Sequence, residues 1–273
     1  MLHRKLGDDR SALRTGIRVN AHSALQFKDH FSRLAATYAS FRPRYPPALF
    51  DYLVESCRRH ELAWDCACGS GQASLDLAAR FDAVLATDAS AAQVASAPPH
   101  PKVRYRVAPA EDSGLHAACA DIVTVAQALH WFELGPFYAE VERVLRPRGV
   151  LAAWTYGVMH VAGEPIDRQV QEFYWDILKG YWPAERQLVE SGYETLPFIF
   201  AELTPPTFVM QEEWSLRQFI GYVRSWSATG HYVERNAVDP AAALEESLAP
   251  LWGGPDELRR ISWPLRLRIG VKP

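Results

Sequence analysis

Cysteine is scarce: Cys57, Cys66, Cys68 and Cys119 are the four in 273 residues. No Cys-x-x-Cys pair or cysteine–histidine spacing of a zinc site occurs, so no metal site is expected. Burial as small hydrophobes accounts for Cys66 and Cys68, and a reduced, cytoplasmic compartment follows. An excess of either charge is also missing, since 29 Lys and Arg face 32 Asp and Glu for a net charge of −3. That balance gives no electrostatic reason to expect nucleic acid or an anionic membrane as partner. No apolar run reaches membrane-spanning length; Val150–Met159 is broken by Thr155 and Gly157 and stops at His160. The first 26 residues lack the apolar core of a secretion signal, and Asp8 and Asp9 argue against a transit peptide. Residues 1–26 are expected to be a mobile arm, with 27–273 forming one domain.

What is present is an ordinary globular composition, 48% hydrophobic and 22% charged. Pro46 and Pro47 suit a helix start, with Leu49, Phe50, Leu53, Val54 and Cys57 along one face. Leu62–Cys66, Ala83–Thr87, the alternating Val103, Tyr105 and Val107, Asp121–Ala126 and Val150–Thr155 read as five strands. Helical patterns fall between them: about Gln72–Arg80, Ser90–Ala97, and a face of Leu134, Phe137, Val141, Val144 and Leu145. This alternation predicts an α/β fold with a doubly wound parallel sheet. Beyond residue 150 the rhythm fades, and seven of the nine tryptophans lie there. Helices are expected over Gln169–Leu178, Ser215–Ser227 and Pro240–Leu251. Phe208–Val209 and Leu265–Ile269 read as strands able to pair and close the sheet.

The densest signal runs from Ala63 to Gln72, Ala-Trp-Asp-Cys-Ala-Cys-Gly-Ser-Gly-Gln, followed by Asp88 at the tip of the second strand. Ligands of open α/β sheets bind at such strand ends. The glycines permit close backbone approach, and an acid at the next strand end accepts ribose hydroxyls. A nucleoside-containing cofactor is therefore expected. The dinucleotide fingerprint is incomplete, because Gly69-Ser70-Gly71-Gln72-Ala73-Ser74 supplies only its first two glycines. Asp65, Ala67, Gly69 and Gly71 instead form D-x-[GA]-x-G-x-G. This resembles motif I of class I S-adenosylmethionine (SAM) methyltransferases. Ala67 replaces that family's usual first glycine, a mild change if its φ is negative.

Further segments carry the same resemblance. Phe31-Ser32-Arg33 through Tyr38, with Phe41–Pro46, is similar to the N-terminal signature of type 11 methyltransferases, within them the trans-aconitate methyltransferase-like branch. Ala110-Glu111-Asp112, Gln127–Phe132 and Leu145–Val150 match in order, as do Ser225-Trp226-Ser227, Trp252-Gly253 and Trp263–Gly270. The resemblance implies a seven-stranded Rossmann-like sheet, its last strand antiparallel, with a helical N-terminal cap and a helical lid. Residues 60–157 would form the SAM-binding core, 158–250 the substrate lid and 258–270 the closing strand. Asp65, Ala67, Gly69 and Gly71 would hold the methionine end, and Asp88 with Ala89 the ribose. Ala110 and Glu111 would border the adenine. Pro109 stands where the family often has an acid, leaving backbone or Glu111 for the adenine contact. Gln127 would lie beside the sulfonium, and Tyr38 and Arg42 would close over the cofactor. For Arg42 a solvated pair with Arg44 is the alternative.

The implied reaction is methyl transfer from SAM to a small molecule, a carboxylic acid being one candidate. A carboxylate acceptor needs no base, whereas a hydroxyl, nitrogen or carbon acid benefits from one. His130 offers either that base or a pin for its loop. Trp131, Arg224 and Trp226 are candidates to line the substrate pocket, with plain core packing the alternative for the aromatics and a surface ion pair for Arg224. A non-catalytic SAM-binding protein and an NAD-dependent oxidoreductase remain as other readings.

Overall fold

The computed structural model describes residues 43–254 and 256–273. The expected arm at 1–26, Tyr38 and Arg42 lie outside the described residues. Five parallel strands come first: β1 (Leu62–Cys66), β2 (Ala83–Asp88), β3 (Val103–Val107), β4 (Ala120–Ala126) and β5 (Leu145–Tyr156). Their order across the sheet is β3-β2-β1-β4-β5, and the antiparallel β9 (Arg259–Val271) follows β5.

Among the described residues nine strand segments make seven strand lines. β6 (His160–Val161) pairs β9 at Ser262 and Ile261, next along the chain from the β5 pair Tyr156–Leu265. It continues β5 after a short break. β7 (Ala201–Glu202) and β8 (Phe208–Trp214) lie antiparallel to β9 in the same manner. The closing pair is thus present and longer than the sequence suggested. β5 is longer too, because Leu145 pairs with Ala120 ahead of a bulge in which Arg148 has φ 66°.

The central strands bury both faces, which is why they read as unbroken apolar runs. Alternate residues part cleanly: Ala63, Val84, Ile122, Val150, Ala152 and Trp154 join one cluster. Trp64, Leu85, Val123, Val125, Leu151 and Ala153 join the other. On the first face lie α1 (Pro47–Glu55) and α2 (Gln72–Ala78), with Leu49, Phe50, Leu53, Ala73 and Leu77 inward. α3 (Ala91–Ser96) is capped by Ser90. α4 (Leu134–Val144) covers the second face through Phe137, Val141 and Val144.

The C-terminal half departs most from expectation. The helix predicted over Gln169–Leu178 begins earlier, as α5 (Glu164–Glu172), and ends in a π-helical turn over Phe173–Ile177. A short α6 (Arg186–Glu190) follows. Ser215–Ser227 splits into α7 (Leu216–Arg224) and α8 (Ser227–Asn236), because Trp226 is extended at ψ 140°. A capping box of Ser215 and Gln218 starts α7. α9 (Pro240–Trp252) begins at its predicted proline. Among the described residues no helix is long and apolar enough to cross a membrane.

Candidate functional site

After β1 the chain turns through Ala67–Gly71 before α2. Ala67, Gly69 and Gly71 all hold positive φ, at 53°, 55° and 85°. This corrects the expectation for Ala67: an alanine occupies a left-handed conformation that costs L-residues about 1–2 kcal/mol. Ala67→Gly is therefore expected to raise stability by about 0.5–1 kcal/mol after glycine's own entropic cost. A higher denaturant midpoint at unchanged slope would show it; a lower one would refute the strain. At Gly71 there is no room for a side chain. A Cβ there would stand 2.4 Å from Tyr105 Oη and 2.9 Å from Tyr105 Cε1.

Asp88 ties this loop to the tip of β2. Its Oδ2 accepts the Gly69 N–H at 2.9 Å and its Oδ1 the Ser90 N–H at 2.8 Å. A carboxylate has about four acceptor sites, so a group of this kind at a strand tip suits several donors at once. Ala89, the next residue, is exposed. Asp65 sits lower. It is fully buried, its Oδ2 accepting the Ser74 hydroxyl at 2.6 Å and its Oδ1 the Thr124 hydroxyl at 3.0 Å. Burial raises its pKa to about 6 against the pull of those two bonds. Asp65 thus braces β1, α2 and β4 beneath the loop instead of lining the cleft.

The loop after β3 carries buried Ala110 and half-buried Glu111. Glu140 of α4 anchors it, accepting the Ser113 N–H at 2.9 Å and hydroxyl at 2.5 Å while Arg143 donates to both oxygens. Burial opposes ionisation of Glu140, yet these bonds carry it below the usual carboxylate range. The buried thiols are inert: burial pushes Cys57 up to about 12 and raises Cys66 and Cys68 as well.

At the end of β4, Gln127 holds φ 58°. Its Nε2 donates to the Tyr156 carbonyl at 2.9 Å and its Oε1 accepts the Thr155 hydroxyl at 2.5 Å. The 3₁₀ turn Leu129–Trp131 then presents His130, whose Nδ1 lies 2.8 Å from Tyr193 Oη. Burial, helped by the Arg186 charge, lowers the His130 pKa to about 3. The neutral imidazole is therefore the form in the folded chain. Because the folded value lies below the unfolded one near 6.5, stability is lost as pH falls from about 6.5 toward 3. Each pH unit in that window costs at most about 1.4 kcal/mol. His130→Gln should flatten this acid loss in melts between pH 7 and 5; parallel wild-type and variant curves would refute it.

The proposed pocket residues are placed unequally. Trp131 is 38% exposed, its ring 4.7 Å from that of His130. Trp226 is buried, with Phe173, Tyr174, Trp182 and Tyr222 rings within 6.5 Å of it. Arg224 forms the surface ion pair, donating to Asp239 at 2.8 Å and Glu245 at 3.1 Å. That engagement supplies the alternative to a substrate-recognising role. Three residues escaped sequence reasoning: Tyr105, Thr155 and Tyr193. Only the alternation of Val103, Tyr105 and Val107 gave any signal, placing Tyr105 on a sheet face. A hollow of about 470 Å³ lined by Arg58, Arg59, Asp121, Arg146 and Arg148 opens at the N-terminal ends of β4 and β5. It is far from the strand ends that carry Asp88 and Gln127, and Asp121 and Glu61 already neutralise Arg146.

The glycine cradle suits a nucleoside cofactor. Tyr105 Oη, beside Gly71, is buried and has no well-formed hydrogen bond, the neighbouring Ser74 hydroxyl being committed to Asp65. Burial pushes the phenol up to about 12, so it stays an O–H able to donate. Fold and cradle together define a Rossmann-like protein of the nucleoside-cofactor class. Comparison with known proteins narrows this. The type 11 family profile, "Methyltransferase domain", matches residues 64–153. A candidate methyltransferase from Dictyostelium discoideum is 31% identical over 253 residues, covering 90% of this chain and 96% of that protein. A yeast protein described as a SAM-dependent methyltransferase is 31% identical over 132 residues, 45% of each chain. A solved structure from Anaeromyxobacter dehalogenans, described as a candidate type II methyltransferase, is 47% identical. It superposes with a TM-score of 0.81, over 85% of this chain and 98% of that one. The chain belongs to the type 11 family of class I SAM-dependent methyltransferases. It is an enzyme of that kind, and SAM binding is a property of its family.

Proposed function

We propose that residues 60–157 bind SAM at the C-terminal strand ends, and that 158–250 lid a small-molecule methyl acceptor. The observation that carries this is convergence: the strained glycine loop, Asp88 and the Gln127–His130 turn all stand where parallel strands end. Gly69 and Gly71 admit the methionine end, Asp88 accepts the ribose hydroxyls, and Ala110 and Glu111 border the adenine. Bound SAM supplies an electrophilic methyl group on a sulfonium. The chain's share is alignment and exclusion of water, since in-line displacement from so good a leaving group needs little more. The trans-aconitate-like segments support a small organic acceptor, with a carboxylic acid among the candidates. A macromolecular acceptor finds no support in a net charge of −3. Calorimetric titration with SAM and S-adenosylhomocysteine, with NAD and NADP as controls, tests the cofactor half. Saturable binding of the two sulfur nucleosides alone is expected; preference for NAD, or no binding, overturns the assignment.

A further inference from the structure

At the end of the sheet away from Asp88 and Gln127, a buried carboxylate ties neighbouring segments into a floor. Asp121, at the start of β4, is 4% exposed, and its Oδ2 accepts the Glu61 and Leu62 amides at 2.7 and 2.9 Å. Its Oδ1 accepts Arg146 Nη1 at 2.7 Å, while Arg146 Nη2 lies 2.8 Å from Glu61 Oε2. Asp121 and Arg146 are thus spent on holding the lead-in to β1 against β4 and β5. The other cations of the hollow, Arg58, Arg59 and Arg148, are not so engaged.

Arg59 has one loose pair, 3.6 Å from Glu61, with both side chains more than half exposed. The side chains of Arg58 and Arg148 make no ion pair or hydrogen bond among the described residues. Four guanidinium groups therefore meet the two carboxylates of Asp121 and Glu61, and two positive charges stand unanswered. A concave wall of one charge sign focuses its field and concentrates anions. The backbone of the wall is costly as well. Ala118 and Arg148 both line the hollow at positive φ, 49° and 66°. Left-handed backbone is unfavourable for any residue with a Cβ and gathers at ligand sites. Here it is pinned, the Ala118 N–H donating to the Arg143 carbonyl at 2.9 Å and the Arg148 N–H to the Lys272 carbonyl at 3.1 Å.

We propose that this hollow is an anion site for a diphosphate group, at the opposite end of β4 and β5 from the proposed SAM site. Guanidinium forks match phosphate oxygens in pairs, and two unanswered charges suit a multiply charged anion. No aromatic ring lines the hollow, so the phosphates are recognised and an attached base is not.

The test is calorimetric titration of the full chain, without SAM, with inorganic pyrophosphate at low ionic strength, where exposed charges are least screened. Saturable binding at one site per chain is expected. Arg58→Ala combined with Arg148→Ala should weaken it about 100-fold, because two charge-assisted contacts are lost. Arg104→Ala combined with Arg217→Ala removes the same charge elsewhere and should leave it unchanged. All four arginines are exposed, so both variants should fold and bind SAM as the wild type does. ADP, which carries a diphosphate on a nucleoside, should bind no more tightly than pyrophosphate. Undiminished binding in the Arg58 and Arg148 variant, an equal loss in the control pair, or tighter binding of ADP overturns the proposal. So does displacement of pyrophosphate by S-adenosylhomocysteine, or the absence of saturable binding. The titration uses no SAM, so its failure is distinguishable from a failure of the cofactor assignment.

Discussion

Asp88→Ala should lower the affinity for SAM by about 100-fold or more. The expected size follows from charge-assisted hydrogen bonds, each contributing roughly 1.5–3 kcal/mol, of which two to a ribose diol would be lost. The same substitution strips the acceptor from the Gly69 and Ser90 amides, so the empty loop loosens as well. Asp88→Asn separates the effects. It keeps one acceptor oxygen, and should preserve the melting temperature more closely while binding SAM weakly. Calorimetry beside thermal unfolding without cofactor reads both. Wild-type affinity in either variant would mean that the ribose is held elsewhere.

Gly71→Val is expected to abolish cofactor binding. Two independent costs coincide at this residue. A β-branched side chain is a genuine outlier at φ 85°, and its Cβ would collide with the Tyr105 ring. Tyr105→Phe should not rescue it, because the ring carbon at 2.9 Å remains after the hydroxyl is gone. Titration should show no heat with SAM, and circular dichroism should still report the α/β content. Retained binding in Gly71→Val would show that the loop adopts another path.

The parts of the molecule legible in the sequence are those governed by local physics. Leu62–Cys66 and the tip at Asp88 were found to the residue, because strands buried on both faces are apolar throughout and end abruptly at polar or glycine positions. The glycine loop was legible for a similar reason, since the backbone conformation it needs restricts composition. Ala67 shows the limit: an alanine at this point is a mild change only at negative φ, but the loop's path demands the left-handed turn and the residue yields. Asp65 shows another. Its position in the motif was plain, but its partners Ser74 and Thr124 come from two other elements, and they turn a residue expected in the cleft into a brace below it.

The lid was hardest to read. The π turn at Phe173–Ile177 and the break at Trp226 are fixed by aromatic rings meeting across the fold. Periodicity within one segment carries no trace of that. Tyr193 reaches His130 across 63 residues of chain, a contact that no local pattern announces.

β9 pairs along both edges, with β5 and β6 on one side and β7 and β8 on the other. Among the described residues it is also the strand made last. A nascent polypeptide emerging from the ribosome therefore exposes the edges of β5 and β8 until residues 259–271 arrive to fill the slot between them. Pairings so distant in sequence make for slow closure, and open strand edges invite association with other chains. Cells making this protein would need to shield those edges until β9 arrives, and deleting residues 259–273 should leave an aggregating chain in place of a smaller enzyme.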